Sequence, residues 1–246
     1  MNPATALVPV VLNPAAVPSS VVDDAVTWLN DPSNWIGPTG IIALTSEHLL
    51  MSAIAVVAAA LIALPVGVWL GHTGRGATFT LVVANTSRAL PTLALLTLFA
   101  SSAIGFGNRA TVLAVTVFAI PPILTNAFEG VRGVDADVRD AAVGMGMPGR
   151  QVLTGVSIPL AIPVIAAGLR TAAVQVVATI PLAALVGGGG LGVIIVTGIA
   201  TQRYGKALAG ALLVAVLCLA VEGLLALAQR LLTPAPIREF ARASAR

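Results

Sequence analysis

The sequence predicts an all-α integral membrane protein with about five transmembrane helices, and three observations carry that expectation. Of 246 residues, 57% are hydrophobic and only 9% charged, at a mean hydropathy of +0.98, whereas soluble domains carry about 25% charged residues. Uncharged apolar runs recur at the length of a bilayer crossing, ~20 residues at ~1.5 Å of rise each. The densest charge falls in one segment, Glu129 to Pro159, which cannot lie unpaired in hydrocarbon.

The same composition excludes other classes. A pI near 10.0 is compatible with nucleic-acid binding, but the basic residues stand singly, without a Lys/Arg run or stacking aromatics. Cys218 is the only cysteine, which rules out an intramolecular disulfide or a thiolate metal site, and His48 and His72 are too far apart to suggest a metal centre. No secretory signal is expected at the start, where Pro3, Pro9, Pro14 and Pro18 interrupt any apolar core.

Residues 1–44 read as an N-terminal segment. A Pro/Ala-rich stretch leads into an amphipathic helix over Val21 to Ile36, with Val22, Val26 and Leu29 on its apolar face and Trp28 and Trp35 at headgroup level. The membrane domain spans 45–232. Its first crossing covers about Leu49 to Leu70, preceded by Thr45-Ser46-Glu47-His48 as capping groups at the water boundary. A second, about Ala77 to Ile104, contains Arg88 and Pro91 and is therefore kinked or built from two pieces. A third runs from about Ala110 to Phe128 with Pro121-Pro122 inside it. The fourth, about Leu160 to Val186, carries Pro163 and Pro181 and ends at four glycines, Gly187 to Gly190, which cannot hold a helix cheaply. Leu191 to Ala200 is too short to cross and reads as a re-entrant or outer-face helix; the fifth crossing covers about Lys206 to Leu232, and 233–246 form a tail. Eight arginines share the side of the charged loop, against Arg109, Arg203 and Lys206 opposite, so the loop and C-terminus are expected in the cytoplasm.

Within the loop, Val138, Ala141, Ala142 and Met145 recur at i, i+3, i+4 and i+7, one face of a short helix starting near Asp135, whose N-terminus suits Asp135 and Asp137. Paired alanines leave a shallow surface that another protein can approach closely, and Gly144 and Gly146 let the chain turn before Pro148 opens a second helical piece.

The spacing D-A-A-x-x-x-G, with Asp140, Ala141, Ala142 and Gly146, followed by Val156-x-Ile158-Pro159, resembles the EAA loop of type I ABC importer permeases, with Asp140 in place of the usual Glu and Pro159 as the terminal proline. Further stretches are similar to the glycine betaine/carnitine/choline (osmoprotectant) branch: Thr45 to Leu49, Arg88 to Ala94, Ala141 to Met147, Leu160 to Ala172 and Gly189-Gly190-Leu191-Gly192. Methionine-type permeases share the loop and the Gly-Gly-Leu-Gly features.

The resemblance implies a multi-pass permease of the bacterial cell membrane, importing glycine betaine, carnitine, choline or proline-type solutes by alternating access. It further implies a cytoplasmic ATPase gripping the 133–159 coupling loop through Val138, Asp140, Ala141, Ala142, Gly144, Met145, Gly146 and Pro159, an extracytoplasmic binding protein, and a second permease copy or sister permease. The chain itself is then no enzyme and holds no cofactor, ATP and Mg being bound by the partner; it has no G-x4-G-K-[ST] phosphate loop, since Gly187 to Gly192 lacks the Lys-Ser/Thr ending. A methionine or other small-solute permease and an ion-coupled secondary transporter are the alternatives, the latter needing mid-membrane carboxylates, for which only Glu222 qualifies. Ionisable residues inside spans are functional candidates by default, here Arg88, Arg170 and Glu222, yet snorkelling or pairing between helices accounts for them as well. With aromatics at 4%, no cation–π cage for a quaternary amine stands out, and selection is expected to reside in the binding protein.

Overall fold

The computed structural model describes residues 20–89 and 91–232, leaving out the side chains of residues 86–89 and 232. The first nineteen residues and the expected tail at 233–246 lie outside it, as does the side chain of Arg88. The described residues are helical throughout, with no strand. Four helices are long and apolar enough to cross a membrane: α2 (Ile41–Thr73), α5 (Asn108–Arg132), the run Gly149–Val186 that contains α7 (Gly149–Val152) and α8 (Ile158–Thr179), and α10 (Tyr204–Leu232). The expected second crossing is two shorter helices, α3 (Ala77–Ala89) and α4 (Thr92–Ala100). Pro91 divides them, because it lacks the N–H that an α-helix needs and pushes its predecessor out of the helical region.

Helices α2, α5 and α8 form the centre. Ala55, Ala59 and Ala63 of α2 meet Val115, Ala119 and Ile123 of α5 and Ala172 and Val176 of α8. In lipid, apolar side chains gain little by leaving one apolar surroundings for another, so close backbone approach does the binding. Gly67 and Gly71 of α2 supply it: a Cβ on either would come within 2.7 Å of a carbonyl of α5, Leu124 or Phe128 respectively. Gly130 lies against Ala161 and Val164 of α8, and Gly168 of α8 against Asn126 and Pro122. The outward faces of α2 and α10 show the opposite pattern, with Leu61 73%, Trp69 62%, Leu219 72% and Leu224 67% exposed. An apolar surface of that extent belongs in a bilayer.

Helix α1 (Val21–Asn30) has the expected place but a different buried face. Val22 and Val26 are exposed, while Ala25 is buried and Trp28 and Leu29 pack with Leu213 and Val214 of α10 and Ile41 and Leu44 of α2. Contact with α10, rather than with lipid alone, decides the rotation. Ser20 caps α1 through the amide of Asp23, whose carboxylate returns to the Ser20 amide.

The first crossing also begins earlier than expected. Gly40 is its N-cap, without a side-chain cap bond, and Thr45-Ser46-Glu47-His48 lies inside α2 rather than capping it. Ile41 and Leu44 extend the helix because they pack against Leu191 and against Ile194 of the short helix α9 (Gly192–Ala200).

Candidate functional site: an exposed elbow and a latch at the opposite end

The charged segment forms an elbow joined to both neighbouring helices with almost no slack. Three residues, Gly133 to Asp135, separate α5 from α6 (Ala136–Gly144). Asp135 caps α6 by accepting from the Asp137 amide at 2.9 Å. The other end of α6 closes in a Schellman turn: the Gly146 amide donates to Val143 O at 2.8 Å and the Met147 amide to Ala142 O at 3.2 Å. This turn needs a left-handed residue, which Gly146 provides at φ +86°. Gly144 was expected to share that role, but it is the last residue of α6 and its φ is not positive; the hydrogen-bond pattern requires only one left-handed position. Pro148 then caps α7, and a π-turn over Leu153–Ser157 carries the chain into α8 with Pro159 as its second residue. Proline at 159 has no N–H to offer, and π-turns of this kind occur frequently at functional sites.

The helical face anticipated from sequence is divided. Ala142 is 2% exposed and anchors α6, whereas Val138 is 43% and Met145 77% exposed, with Ala141 and Asp140 also at the surface. Val143, which the spacing did not single out, is 58% exposed. An apolar set of Val138, Val143 and Met145, flanked by Asp137 and Asp140 and lying beyond the ends of the crossing helices, has no covering element among the described residues. Arg132, at the base of the elbow, donates to Gly74 O at 3.0 Å and lies 5.6 Å from the Phe128 ring centroid, tying α5 to the end of α2.

The intramembrane ionisable groups are accounted for in part. Arg170 of α8 and Glu222 of α10 are 3.4 Å apart, so these two candidates form an ion pair between helices. Nearby, Gln229 donates to Pro163 O at 2.9 Å, again joining α10 to α8. Arg88 lies on α3.

At the opposite end of α5 the structure joins residues that sequence reasoning left apart. The Asn108 amide donates to Glu47 Oε1 at 2.6 Å, the Gly189 N–H to Asn108 Oδ1 at 2.8 Å and the Gly190 N–H to Glu47 Oε2 at 3.0 Å. A side chain at Gly189 would run into the Glu47 carboxylate. One residue on, His48 is wholly buried and its Nε2 bonds Val177 O of α8 at 2.9 Å; it pins two helices and is not the interfacial cap expected of it. Glu47, Asn108 and the glycine loop thus form a latch at the ends of α2, α5 and α8 away from the elbow. The one signal for it in the sequence is that both Thr45 to Leu49 and Gly189 to Gly192 belong to the stretches of family resemblance.

A helical membrane domain with an exposed elbow fastened directly to two crossing helices has the form of a membrane component of a transport system. Residues 59–234 match the family described as binding-protein-dependent transport system inner membrane component, and the chain belongs to that family. It is 39% identical over 195 residues to the carnitine transport permease protein OpuCB of Listeria monocytogenes, covering 79% of this chain and 89% of that protein. It is 35% identical to the choline transport system permease protein OpuBB of Bacillus subtilis, covering 80% and 90%, and 33% identical to the osmoprotectant import permease protein OsmW of Salmonella typhimurium, covering 87% and 100%. Inward-facing MetNI methionine ABC transporter structures share the fold, with a TM-score of 0.67 at 20% identity over 79% of this chain and 96% of that one. The all-helical importer-permease architecture and the membrane location expected from sequence stand on these matches.

Proposed function

We propose that this chain is the permease subunit of an ATP-driven importer for small osmoprotectants of the quaternary ammonium class, such as glycine betaine, carnitine or choline. The observation that carries the reading is the set of relatives at 33–39% identity over most of the chain, all of them permeases for osmoprotectants, carnitine or choline. In this reading a separate ATPase seats on Val138, Val143 and Met145 beside Asp140. Its closure moves α6, and the short links at Gly133 to Asp135 and at the π-turn pass the movement to α5 and α8. A binding protein delivers solute at the latch end, and a second permease copy or sister permease completes the passage. The free energy comes from ATP hydrolysed by the partner, and this chain acts as translocator.

The test is uptake into vesicles containing the chain with its ATPase, its binding protein and any sister permease. Labelled glycine betaine is expected to accumulate only with ATP and to be indifferent to an uncoupler. Uptake that survives ATP depletion but collapses with an uncoupler refutes the ATP-driven reading in favour of ion coupling. Preference for methionine refutes the solute class.

A further inference from the structure

Between α3, α5 and α8 lies a cavity of about 250 Å³, lined by Pro121, Pro122, Thr125 and Asn126 of α5 and by Thr171 and Gln175 of α8. Helix α3 closes it through Ala84. At ~30 Å³ per water this is room for about eight waters, or one small zwitterion. Counting from Asn108 at the latch end of α5, its residues lie 13 to 18 positions along, roughly 20–27 Å into the membrane domain. The cavity opens at Thr171, which is exposed, and is distinct from both the elbow and the latch.

Its polar groups are arranged unusually. Thr97, Thr116, Thr154, Thr179 and Thr201 each donate their hydroxyl to the carbonyl one turn back. Thr125 does not: its buried hydroxyl has no partner among the described residues, and neither has that of Thr80, one turn before Ala84 on the same face of α3. The Gln175 amide is likewise free of any hydrogen bond to described residues. Only Asn126 is committed, donating to Pro122 O at 2.8 Å. The two prolines add acceptors. Pro121 and Pro122 lack the N–H groups to which Val117 O and Phe118 O would bond, and a helical carbonyl points toward the residue four ahead. Each of these oxygens thus lacks its usual helical donor, one turn before the prolines that line the cavity.

We infer that this cavity is the resting place of the solute inside the permease, and that it takes a quaternary ammonium zwitterion without an aromatic cage. The inference rests on the solute class proposed above. A trimethylammonium group has no N–H to donate and is held by partial negative charge, which the amide oxygen of Asn126 supplies in a chain with few aromatic rings. The carboxylate end of betaine or carnitine needs donors, which Thr125, Thr171 and Gln175 offer. Among the described residues no ionised side chain lines the cavity, and a passage must hold its cargo weakly enough to release it.

The experiment measures uptake per ATP hydrolysed in the assembled importer, with glycine betaine and carboxylate-free choline as separate solutes. Gln175→Leu and Thr125→Val are expected to lower betaine uptake about tenfold and to leave choline within about twofold, while Thr125→Ser retains both. Binding-protein-stimulated ATP hydrolysis at the wild-type level shows that each variant is assembled. Betaine uptake per ATP unchanged in Gln175→Leu and Thr125→Val, or lowered equally with choline, overturns the cavity assignment. Wild-type vesicles that carry neither solute overturn the solute class instead.

Discussion

Glu47, Asn108, Gly189 and Gly190 meet in a closed set of hydrogen bonds at one end of α5, whereas Val138, Val143 and Met145 stand exposed beyond the other. At the latch end a carboxylate and a side-chain amide pair with backbone N–H groups of the same chain. At the elbow, backbone groups are satisfied by an Asx cap and a Schellman turn, and the side chains are left over. The difference teaches where each end finds its partner: the latch completes itself, and the elbow presents a surface for something else. Substitutions at the latch are therefore expected to act on stability, and those at the elbow on transport.

Four substitutions sharpen or break this contrast, taken in order of their expected effect on stability. Gly189→Val forces the Glu47 carboxylate out of place and strands the Asn108 and Gly190 groups; it is expected to cost about 2–3 kcal/mol, lowering the thermal midpoint in detergent by roughly 5–10 °C. A midpoint equal to wild type means that the latch end is not self-completing. Gly146→Val puts a branched side chain at φ +86°, where about 1–2 kcal/mol of strain is expected. Open space surrounds the position, so membrane insertion is expected to persist while ATP-driven uptake is lost; full uptake in that variant removes the elbow from the mechanism.

Glu222→Gln weakens the 3.4 Å pair with Arg170, and interhelical polar contacts in membranes are worth about 0.6 kcal/mol. A shift of more than about 2 kcal/mol in a denaturation series would show that the pair does more than join α8 to α10. The smallest change is Met145→Ser at a 77% exposed position, where stability is expected to move by under about 0.5 kcal/mol. ATP hydrolysis stimulated by the binding protein is expected to fall in that variant, and an unaltered response would place the docking contact elsewhere on α6.

The elbow was legible in the sequence because its determinants are local: Asp135 as cap, Gly146 as left-handed terminator and Pro148 as the opener of α7 lie within fourteen residues of one another. Burial was harder to foresee, since a period of 3.6 identifies a face but not which of its residues turn inward. Ala142 went in and Val143 came out. The latch could not be read, because Glu47 lies 61 residues from Asn108 and 143 from Gly190 and no spacing rule connects them. His48 was misread for a related reason: a polar residue before an apolar run resembles a cap until Val177 O, 129 residues away, is seen to accept from its ring nitrogen. The cavity escaped notice because Thr125 and Gln175 are uncharged singletons in spans, where only ionisable residues stand out.

The stretch from Gly149 to Val186 is one uninterrupted succession of helical turns, roughly 57 Å long at 1.5 Å per residue. One tip bears the elbow; the other accepts the Gly107 amide at Val186 O, at 3.1 Å, beside the glycine loop. Its middle is held tight to α5 at Gly168. Because the run is also tied to α2 at Val177 and to α10 at Pro163, a push on the elbow tip is expected to reach those helices, and spin labels near Gly149 and Gly187 would record whether the two tips move together.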